Sequence, residues 1–169
     1  EAGGLPMLEF DGADDHLVLP EGFASFAGAS FFAVVEAGAT TGCAGLLHFS
    51  TGPGLNDVEF GRHTTNLLYY EVLASPLEGA ENAFVAGRRL LVDVTQSADG
   101  TVELRIDRAR TGSLGTLPLP GTVARTQNFV GRNIYTVCSP FLGRIGEIVF
   151  YPGALPAADR GRVAADLVE

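Results

Sequence analysis

The hydrophobic and polar positions of this chain follow strand-like patterns along most of its length. In residues 101–107 (TVELRID), Val102, Leu104 and Ile106 alternate with mostly charged residues, so the apolar side chains share one face of an extended strand. Residues 30–36 (SFFAVVE) are almost continuously apolar, which is typical of a central strand buried on both faces. Further short strands are predicted at residues 7–10, 16–19, 44–50, 58–63, 66–73, 88–96, 129–131 and 145–151.

Turn residues and a single helical segment complete the pattern. Asp99 and Gly100 separate two predicted strands, and this pair supplies the positive φ that a tight hairpin requires. Residues 21–29 are small and polar, and they predict a loop or one helical turn. A helix is predicted after Pro156, because proline suits the first helical turn and a modest apolar stripe follows it: Val163, Ala164, Leu167 and Val168.

These elements indicate the fold class. Helices of about 10–15 residues do not alternate with the strands, so a parallel α/β sheet is disfavoured. Many short strands joined by frequent turns are typical of an antiparallel sandwich. The sequence therefore predicts an all-β fold, a two-sheet antiparallel β-sandwich of the jelly-roll type with one short C-terminal helix.

Composition narrows the classes of partner. Of the 169 residues, 46% are apolar and 18% are charged, which argues against disorder. The net charge is −9, so no nucleic-acid partner is expected, because phosphate binding needs clustered lysine and arginine. No apolar run approaches the roughly 18 residues of a membrane span, so membrane insertion is not expected. The high apolar share favours protein contacts, as in a homo-oligomer or a larger assembly.

The two cysteines, Cys43 and Cys138, both lie in strand-like surroundings. They are either two buried small apolar side chains or one disulfide that ties strands together in an exported protein. A zinc site is not expected, because neither cysteine has a CxxC partner.

Three segments resemble, in their order along the chain, the laminin-G-like domains of the concanavalin A-like superfamily: FDGADDHLVLP, RRLLVDVT with DGTVELRID, and FLGRIGEIVFYPGALP. The match spans nearly the whole chain, so residues 1–169 are predicted to form one domain of this kind. The resemblance implies an extracellular sandwich that serves adhesion or glycan binding, and in several branches of the family calcium binds at one edge. The chain lacks the tryptophan that is common in the central strand of the family, and IDRARTG replaces its usual YVDG turn. Ligand-binding residues are therefore not carried over from the family.

Asp11, Asp14 and Asp15 form the densest acidic cluster of the chain. Three carboxylates within five residues offer oxygen ligands to Ca²⁺, a hard cation that takes six to eight oxygens. The alternative is a turn in which these carboxylates accept hydrogen bonds from backbone N–H groups. Asn56 and Asp57 form a second, weaker pair of oxygen ligands, with a turn as the alternative.

Aromatic side chains are the candidates for contact with a glycan, because sugars stack an apolar ring face on an aromatic plane. The chain has no tryptophan and four tyrosines. Tyr69, Tyr135 and His63 are the predicted ligand-binding residues. Tyr69 and Tyr70 are consecutive and point to opposite faces of a strand, so at most one of them faces a given groove.

Glu147 stands among apolar residues of the last predicted strand. It lies either on a solvated face or buried against a partner such as Arg132 or Arg144, and a structural role is predicted for it. An acid–base role would require a second carboxylate across a cleft. The paired-acid motif Glu-x-Asp-x-x-Glu of the superfamily's hydrolases does not occur, nor does a G-x-S-x-G elbow. No catalytic residue is therefore predicted.

These observations predict a non-catalytic extracellular recognition or adhesion module that binds a glycan or a protein, assisted by calcium. The alternative is a structural surface subunit that assembles on a virion, a filament or a cell envelope through the same sandwich. In both cases we expect a secreted or surface-exposed location.

Overall fold

The computed structural model describes residues 6–24, Phe26 and residues 28–168. These residues form thirteen strands and one helix. The elements are, in chain order, β1 (Leu8–Asp11), β2 (Leu17–Val18), β3 (Ala29–Ala37), β4 (Ala44–Ser50), β5 (Val58–Arg62), β6 (Leu68–Val72), β7 (Ser75–Glu78), β8 (Arg89–Gln96), β9 (Thr101–Ile106), β10 (Ala109–Arg110), β11 (Gly115–Thr116), β12 (Gln127–Val130), β13 (Leu142–Tyr151) and α1 (Ala157–Asp166).

The described strands form two sheets. The seven-stranded sheet has the order β1, β13, β3, β8, β9, β10, and β11 also pairs with β9. The six-stranded sheet has the order β2, β12, β4, β5, β6, β7. All pairs between named strands are antiparallel. The predicted two-sheet antiparallel sandwich with a C-terminal helix is therefore confirmed.

Aromatic side chains from the inner faces of both sheets fill the core. Phe31 of β3 stacks on Phe150 of β13 with ring centroids 4.8 Å apart, and Phe49 of β4 lies 5.9 Å from Phe31. Phe60 and Tyr70 contribute two more buried rings from β5 and β6. Burial of these rings drives the two sheets together. Because side chains alternate along a strand, the residues between these core positions point out of the sandwich.

Helix α1 covers part of the outer face of the seven-stranded sheet. Phe32, Val34 and Leu91 of the sheet pack with Ala164 of the helix in a second, smaller core. Strand β3 therefore has one face in the main core and the other under α1, and every residue of it except Glu36 is buried. This arrangement confirms the prediction of a central strand that is buried on both faces.

The hairpin turn after β8 also agrees with its prediction. Gly100 has a φ of 87°, and its N–H donates to the Ser97 carbonyl at 2.9 Å. Strands β7, β10 and β11 are not predicted by the sequence, because their short segments show no alternation of apolar and polar residues. β7 also contains Pro76, which a strand at a sheet edge tolerates because one side of it makes no ladder hydrogen bonds.

Residues 21–29 were predicted as a loop or one helical turn. The loop alternative agrees with the described part of this segment, in which Gly22 forms an isolated antiparallel bridge with Arg125, and β3 begins at Ala29. Ser25 and Ala27 of this segment lie outside the described residues.

Candidate ligand-binding site

Residues 131–141, here named the cover loop, connect β12 to β13 and cross the outer face of the six-stranded sheet. The loop backbone lies directly on Gly45 of β4, where a Cβ atom would be 2.7 Å from the carbonyl carbon of Arg132. Only glycine allows so close an approach of two backbones. A disulfide between Cys43 and Cys138 fastens the far end of the loop to the residue before β4. The bridged alternative for the two cysteines is the one that the structure shows.

A row of polar side chains lies on this outer face. The strand registers place His48 of β4 opposite Glu59 of β5, and Glu59 opposite Glu71 of β6. The His48 Nδ1 and Glu59 Oε1 atoms are 3.3 Å apart. The Tyr69 hydroxyl donates a hydrogen bond to Glu59 Oε2 at 2.9 Å. His48 and Glu59 are 0% and 3% exposed, so these polar groups are almost completely withdrawn from water.

Tyr135 of the cover loop contacts Asp57, Gly54 and His48 on the same outer face. Its hydroxyl donates to a carboxylate oxygen of Asp57 and accepts a hydrogen bond from the Gly54 N–H at 3.0 Å. Its ring meets the His48 imidazole edge to face, with centroids 6.2 Å apart. Asp57 itself is 1% exposed. These contacts fix the plane of the Tyr135 ring while part of its surface stays accessible.

Three carboxylates, those of Asp57, Glu59 and Glu71, influence one another on this face. Burial raises the pKa of Glu71 above its usual range, and the neighbouring carboxylates of Glu59 and Asp57 raise it further. Burial also raises the pKa of the Tyr69 hydroxyl, and the Glu59 charge adds to that effect. Tyr69 is therefore neutral, and its hydroxyl acts as the hydrogen-bond donor to Glu59.

A depression with a volume of about 330 Å³ lies between the cover loop and the turn that joins β1 to β2. Its lining includes Asp14 and His16 from the turn and Arg132, Asn133 and Tyr135 from the loop. Two of these side chains pack on the Phe129 ring, since the Arg132 guanidinium lies 5.1 Å and the His16 ring 5.8 Å from its centroid. An arginine, a carboxylate, an amide and aromatic rings thus line the same depression.

Residues 11–15, here named the acidic turn, form one side of this depression. Asp11 Oδ1 accepts hydrogen bonds from the N–H groups of Ala13 at 2.8 Å and Asp14 at 3.3 Å, and Asp15 Oδ2 accepts the Asp11 N–H at 3.1 Å. The N–H groups of Ala13 and Asp14 lower the pKa of Asp11. Asp11, Asp14 and Asp15 also bring one carboxylate oxygen each within 4.8 Å of the others. Hydrogen bonds from backbone N–H groups to the carboxylates therefore stabilise the turn, and the three aspartate side chains remain exposed to solvent.

The structure separates the three predicted aromatic ligand-binding residues. Tyr135 lines the depression, together with the predicted metal ligand Asp14. Tyr69 is only 4% exposed, and its hydroxyl is engaged by Glu59. His63 is half-buried on the outer face, with its Nδ1 3.3 Å from Glu78 Oε1 and its ring 5.8 Å from that of Tyr69. Of these three residues, Tyr135 is the one that lines the depression.

The two weaker oxygen candidates take different roles. Asn56 lies in a turn with a φ of 58°, and its Nδ2 donates to Thr51 Oγ1 at 2.8 Å. Asp57 accepts the Tyr135 hydroxyl. The turn alternative therefore describes Asn56, whereas Asp57 supports the candidate site.

Of the two alternatives for Glu147, the structure shows the solvated face and not burial against Arg132 or Arg144. Ile145 pairs with Val35 and Ile148 with Ala33, so β13 carries one extra residue in a β-bulge that contains Glu147. The Glu147 side chain is exposed there. Arg144 lies 3.6 Å from Glu36, and Arg132 Nε donates to the Asn133 carbonyl at 3.0 Å. Among the described residues neither arginine pairs with Glu147, because the bulge turns its side chain to solvent.

Sequence reasoning missed most of the polar row and of the depression. The missed residues are His16, His48, Glu59, Glu71, Arg132 and Asn133. One signal was present: His48 and Ser50 alternate with Leu47 and Phe49, as Asp57 and Glu59 alternate with Val58 and Phe60. Such alternation indicates a polar outer face, but it does not reveal which strands are neighbours or that a loop covers that face.

Comparisons with known proteins show the fold. No protein-family model matches the chain, and no curated protein matches it either. Domain 4 of AbnA, a GH43 extracellular arabinanase from Geobacillus stearothermophilus solved in complex with arabinotriose, is 20% identical. The alignment covers 96% of this chain and 76% of that one, with a TM-score of 0.73.

Two further structures are similar at low identity. A heptameric SAP-like pentraxin from Limulus polyphemus is 14% identical over 92% of this chain and 80% of that one, with a TM-score of 0.69. The CBM40 of the Ruminococcus gnavus IT-sialidase, bound to α2,3-sialyllactose, is 11% identical over 89% of this chain and 96% of that one, with a TM-score of 0.65. These neighbours are consistent with a concanavalin A-like jelly roll, whereas the narrower laminin-G-like assignment stays a prediction.

Among the described residues, no helix is long and apolar enough to cross a membrane.

Proposed function

We propose that this chain is a non-catalytic glycan-binding module, and that the glycan enters the depression between the acidic turn and the cover loop. The observation that carries the proposal is the fixed Tyr135 ring, which Asp57 and Gly54 hold by its hydroxyl beside Arg132 and Asp14. An immobilised ring offers a stacking surface with little loss of side-chain entropy on binding.

The polar groups of the depression suit sugar hydroxyls. A hydroxyl both donates and accepts, so it can bridge the Arg132 guanidinium, which only donates, and the Asp14 carboxylate, which accepts. The Asn133 Oδ1 atom accepts the Tyr135 N–H at 3.0 Å and keeps the amide next to the ring. A few placed polar groups around an apolar surface are the usual composition of a small-ligand site. The arabinotriose and sialyllactose bound in two similar structures support a glycan as the ligand class.

Calcium assistance belongs to the same proposal. The three carboxylates of the acidic turn supply hard oxygen donors, within 4.8 Å of one another, as Ca²⁺ requires. Asp11, Asp14 and Asp15 would hold the ion, and the charge would stiffen a turn that borders the depression. Protection of the fold against heat by Ca²⁺, lost in Asp14→Asn, is the expected result.

The disulfide between Cys43 and Cys138 supports an extracellular or surface location for the proposed module. Disulfides persist in oxidising compartments and are rare in the reducing cytosol. Adhesion through a glycan on another surface is the role that such a location favours.

The test is retention on a glycan array, followed by titration of the best-retained oligosaccharide. We expect Tyr135→Ala and Arg132→Ala each to weaken binding at least tenfold. Arg144→Ala is the matched control, because Arg144 is exposed, does not line the depression and, among the described residues, forms its ion pair with Glu36. Unchanged affinity in both site variants, or an equal loss in the control, would overturn the proposal.

A second candidate function is assembly into a homo-oligomer or a larger surface structure. The observation that favours it is the exposure of apolar side chains on the two edge strands β1 and β2, where Leu8, Leu17 and Val18 are 55%, 43% and 70% exposed. A concentration-dependent mass in light scattering, abolished by Val18→Asp, is its expected signature. A constant monomer mass at all concentrations would exclude it.

A further inference from the structure

The outer face of the seven-stranded sheet carries a second depression, on the side of the sandwich away from the cover loop. It has a volume of about 220 Å³ and lies between α1 and β9. Thr95, Glu103, Leu114, Leu155 and Arg160 are among the residues that line it. Since a water molecule takes about 30 Å³, this space equals roughly seven waters, which is enough for a small organic ligand.

The charged groups of this depression neutralise one another. Arg160 is 4% exposed, and it donates from Nε to Asp93 Oδ1 at 2.8 Å and from Nη1 to Glu103 Oε2 at 2.7 Å. Arg105 donates to both carboxylate oxygens of Glu103, at 3.1 and 3.2 Å. Two arginines thus face two carboxylates. A charged ligand would compete with these ion pairs, of which Arg160–Asp93 is almost completely buried, so the site suits a neutral ligand.

Hydrogen-bonding capacity remains unused on the floor of the depression. Thr95 is only 7% exposed, and its hydroxyl has no partner among the described residues. Buried polar atoms without partners are costly and uncommon in folded proteins. A ligand hydroxyl could pair with the Thr95 hydroxyl either as hydrogen-bond donor or as acceptor.

The walls add an apolar surface and further hydroxyls. Leu114 is 53% exposed and stands beside Leu155 in the lining, whereas Ser97 and Thr101 contribute hydroxyl groups. An apolar wall opposite several hydroxyls matches a ring that has one apolar face and a polar circumference. We propose that this depression is a second binding site, which takes a small neutral polyhydroxy ligand the size of one sugar ring.

The experiment is a titration of the intact chain, labelled with ¹⁵N, with glycerol, glucose, galactose and arabinose in turn. The readout is the amide shifts of Thr95, Leu114 and Leu155. We expect at least one probe to shift these amides saturably. Thr95→Val should weaken that binding at least fivefold and leave the melting temperature unchanged or higher, because it removes a buried hydroxyl that has no partner. Thr122→Val, at an exposed position, is the matched control and should bind as the wild type.

Each other outcome overturns the proposal. If none of the four probes gives a saturable shift, the depression holds ordered water only. Equal affinity in Thr95→Val and the wild type would remove the hydroxyl from the site. Leu114→Ala gives an independent check at a side chain too exposed to endanger folding, and it too should weaken binding. Shifts that vanish in Arg132→Ala would report the first depression instead. Failure of that first site leaves this titration unaffected.

Discussion

The disulfide between Cys43 and Cys138 is expected to stabilise both the fold and the candidate site. The Cα atoms of the two residues are 4.9 Å apart, and the bridge closes a chain segment with a sequence separation of 95. Cys138 lies in the cover loop, so the bridge joins that loop to the start of β4. The perturbation is the double variant Cys43→Ser with Cys138→Ser.

The magnitude follows from the length of the closed segment. Loop-closure entropy for 95 residues gives about 4.7 kcal/mol at 25 °C as an upper value, and native disulfides commonly contribute about 2–4 kcal/mol. For a domain of this size each kcal/mol lowers the melting temperature by about 2–4 °C. We therefore expect the double variant to melt roughly 4–16 °C lower and to retain its glycan less well, because the cover loop loses an anchor.

The assay is urea unfolding followed by circular dichroism, with the reduced wild type as the control. The reduced wild type and the double variant should unfold together, below the oxidised protein. Thiol titration of the denatured, unreduced wild type should find no free thiol. Two titratable thiols, or a loss of stability below about 0.5 kcal/mol, would refute the reasoning.

Three further predictions concern individual residues, and a fourth concerns catalysis. Gly45→Ala should destabilise the fold by about 1–3 kcal/mol in urea unfolding, because the new Cβ atom would meet the cover-loop backbone. The control is Gly153→Ala, which has open space around it and should change stability by less than about 0.5 kcal/mol. Arg160→Ala should cost about 3–5 kcal/mol by leaving Asp93 buried and unpaired, and Arg162→Ala, at an exposed ion pair, should be near neutral in the same assay. Glu71→Gln should raise the melting temperature at pH 7. The pKa of Glu71 is raised in the folded state, which means that its ionised carboxyl opposes folding. The gain in melting temperature should therefore vanish as the pH falls towards about 4, where the carboxyl is protonated in both states. A gain that persists at that pH would contradict burial and neighbouring carboxylates as the cause of the raised pKa. Incubation with the retained glycan should release no product by chromatography, and hydrolysis that disappears in Glu59→Gln would show catalysis instead.

Much of the fold could be predicted because it depends on local patterns. The alternation in β9, the continuous apolar run of β3 and the Asp-Gly turn between β8 and β9 each reflect one strand or one hairpin. The two-residue strands β10 and β11 could not be predicted, because residues 107–116 show no alternation of apolar and polar positions, whereas the equally short β2 lies in the patterned segment 16–19. The bulge in β13 that exposes Glu147 depends on the register with β3, which is a tertiary property.

The candidate site was less predictable, because its parts come from distant segments. Asp14 and Tyr135 were candidates for separate reasons, and only the fold places both in one depression. In the sequence Asp57 resembles a turn residue, and only the position of the cover loop shows that it accepts the Tyr135 hydroxyl. Tyr69 satisfied the sequence criteria for a stacking residue, yet its burial against Glu59 removes it from the surface.

The central claim is that a glycan occupies the depression between the acidic turn and the cover loop. Amide shift mapping of the ¹⁵N-labelled chain with the best-retained oligosaccharide tests it most directly. The account predicts saturable shifts concentrated at Asp14, His16, Arg132, Asn133 and Tyr135, and their loss in Tyr135→Ala but not in Arg144→Ala. Saturable binding whose shifts leave these five residues unchanged would contradict it.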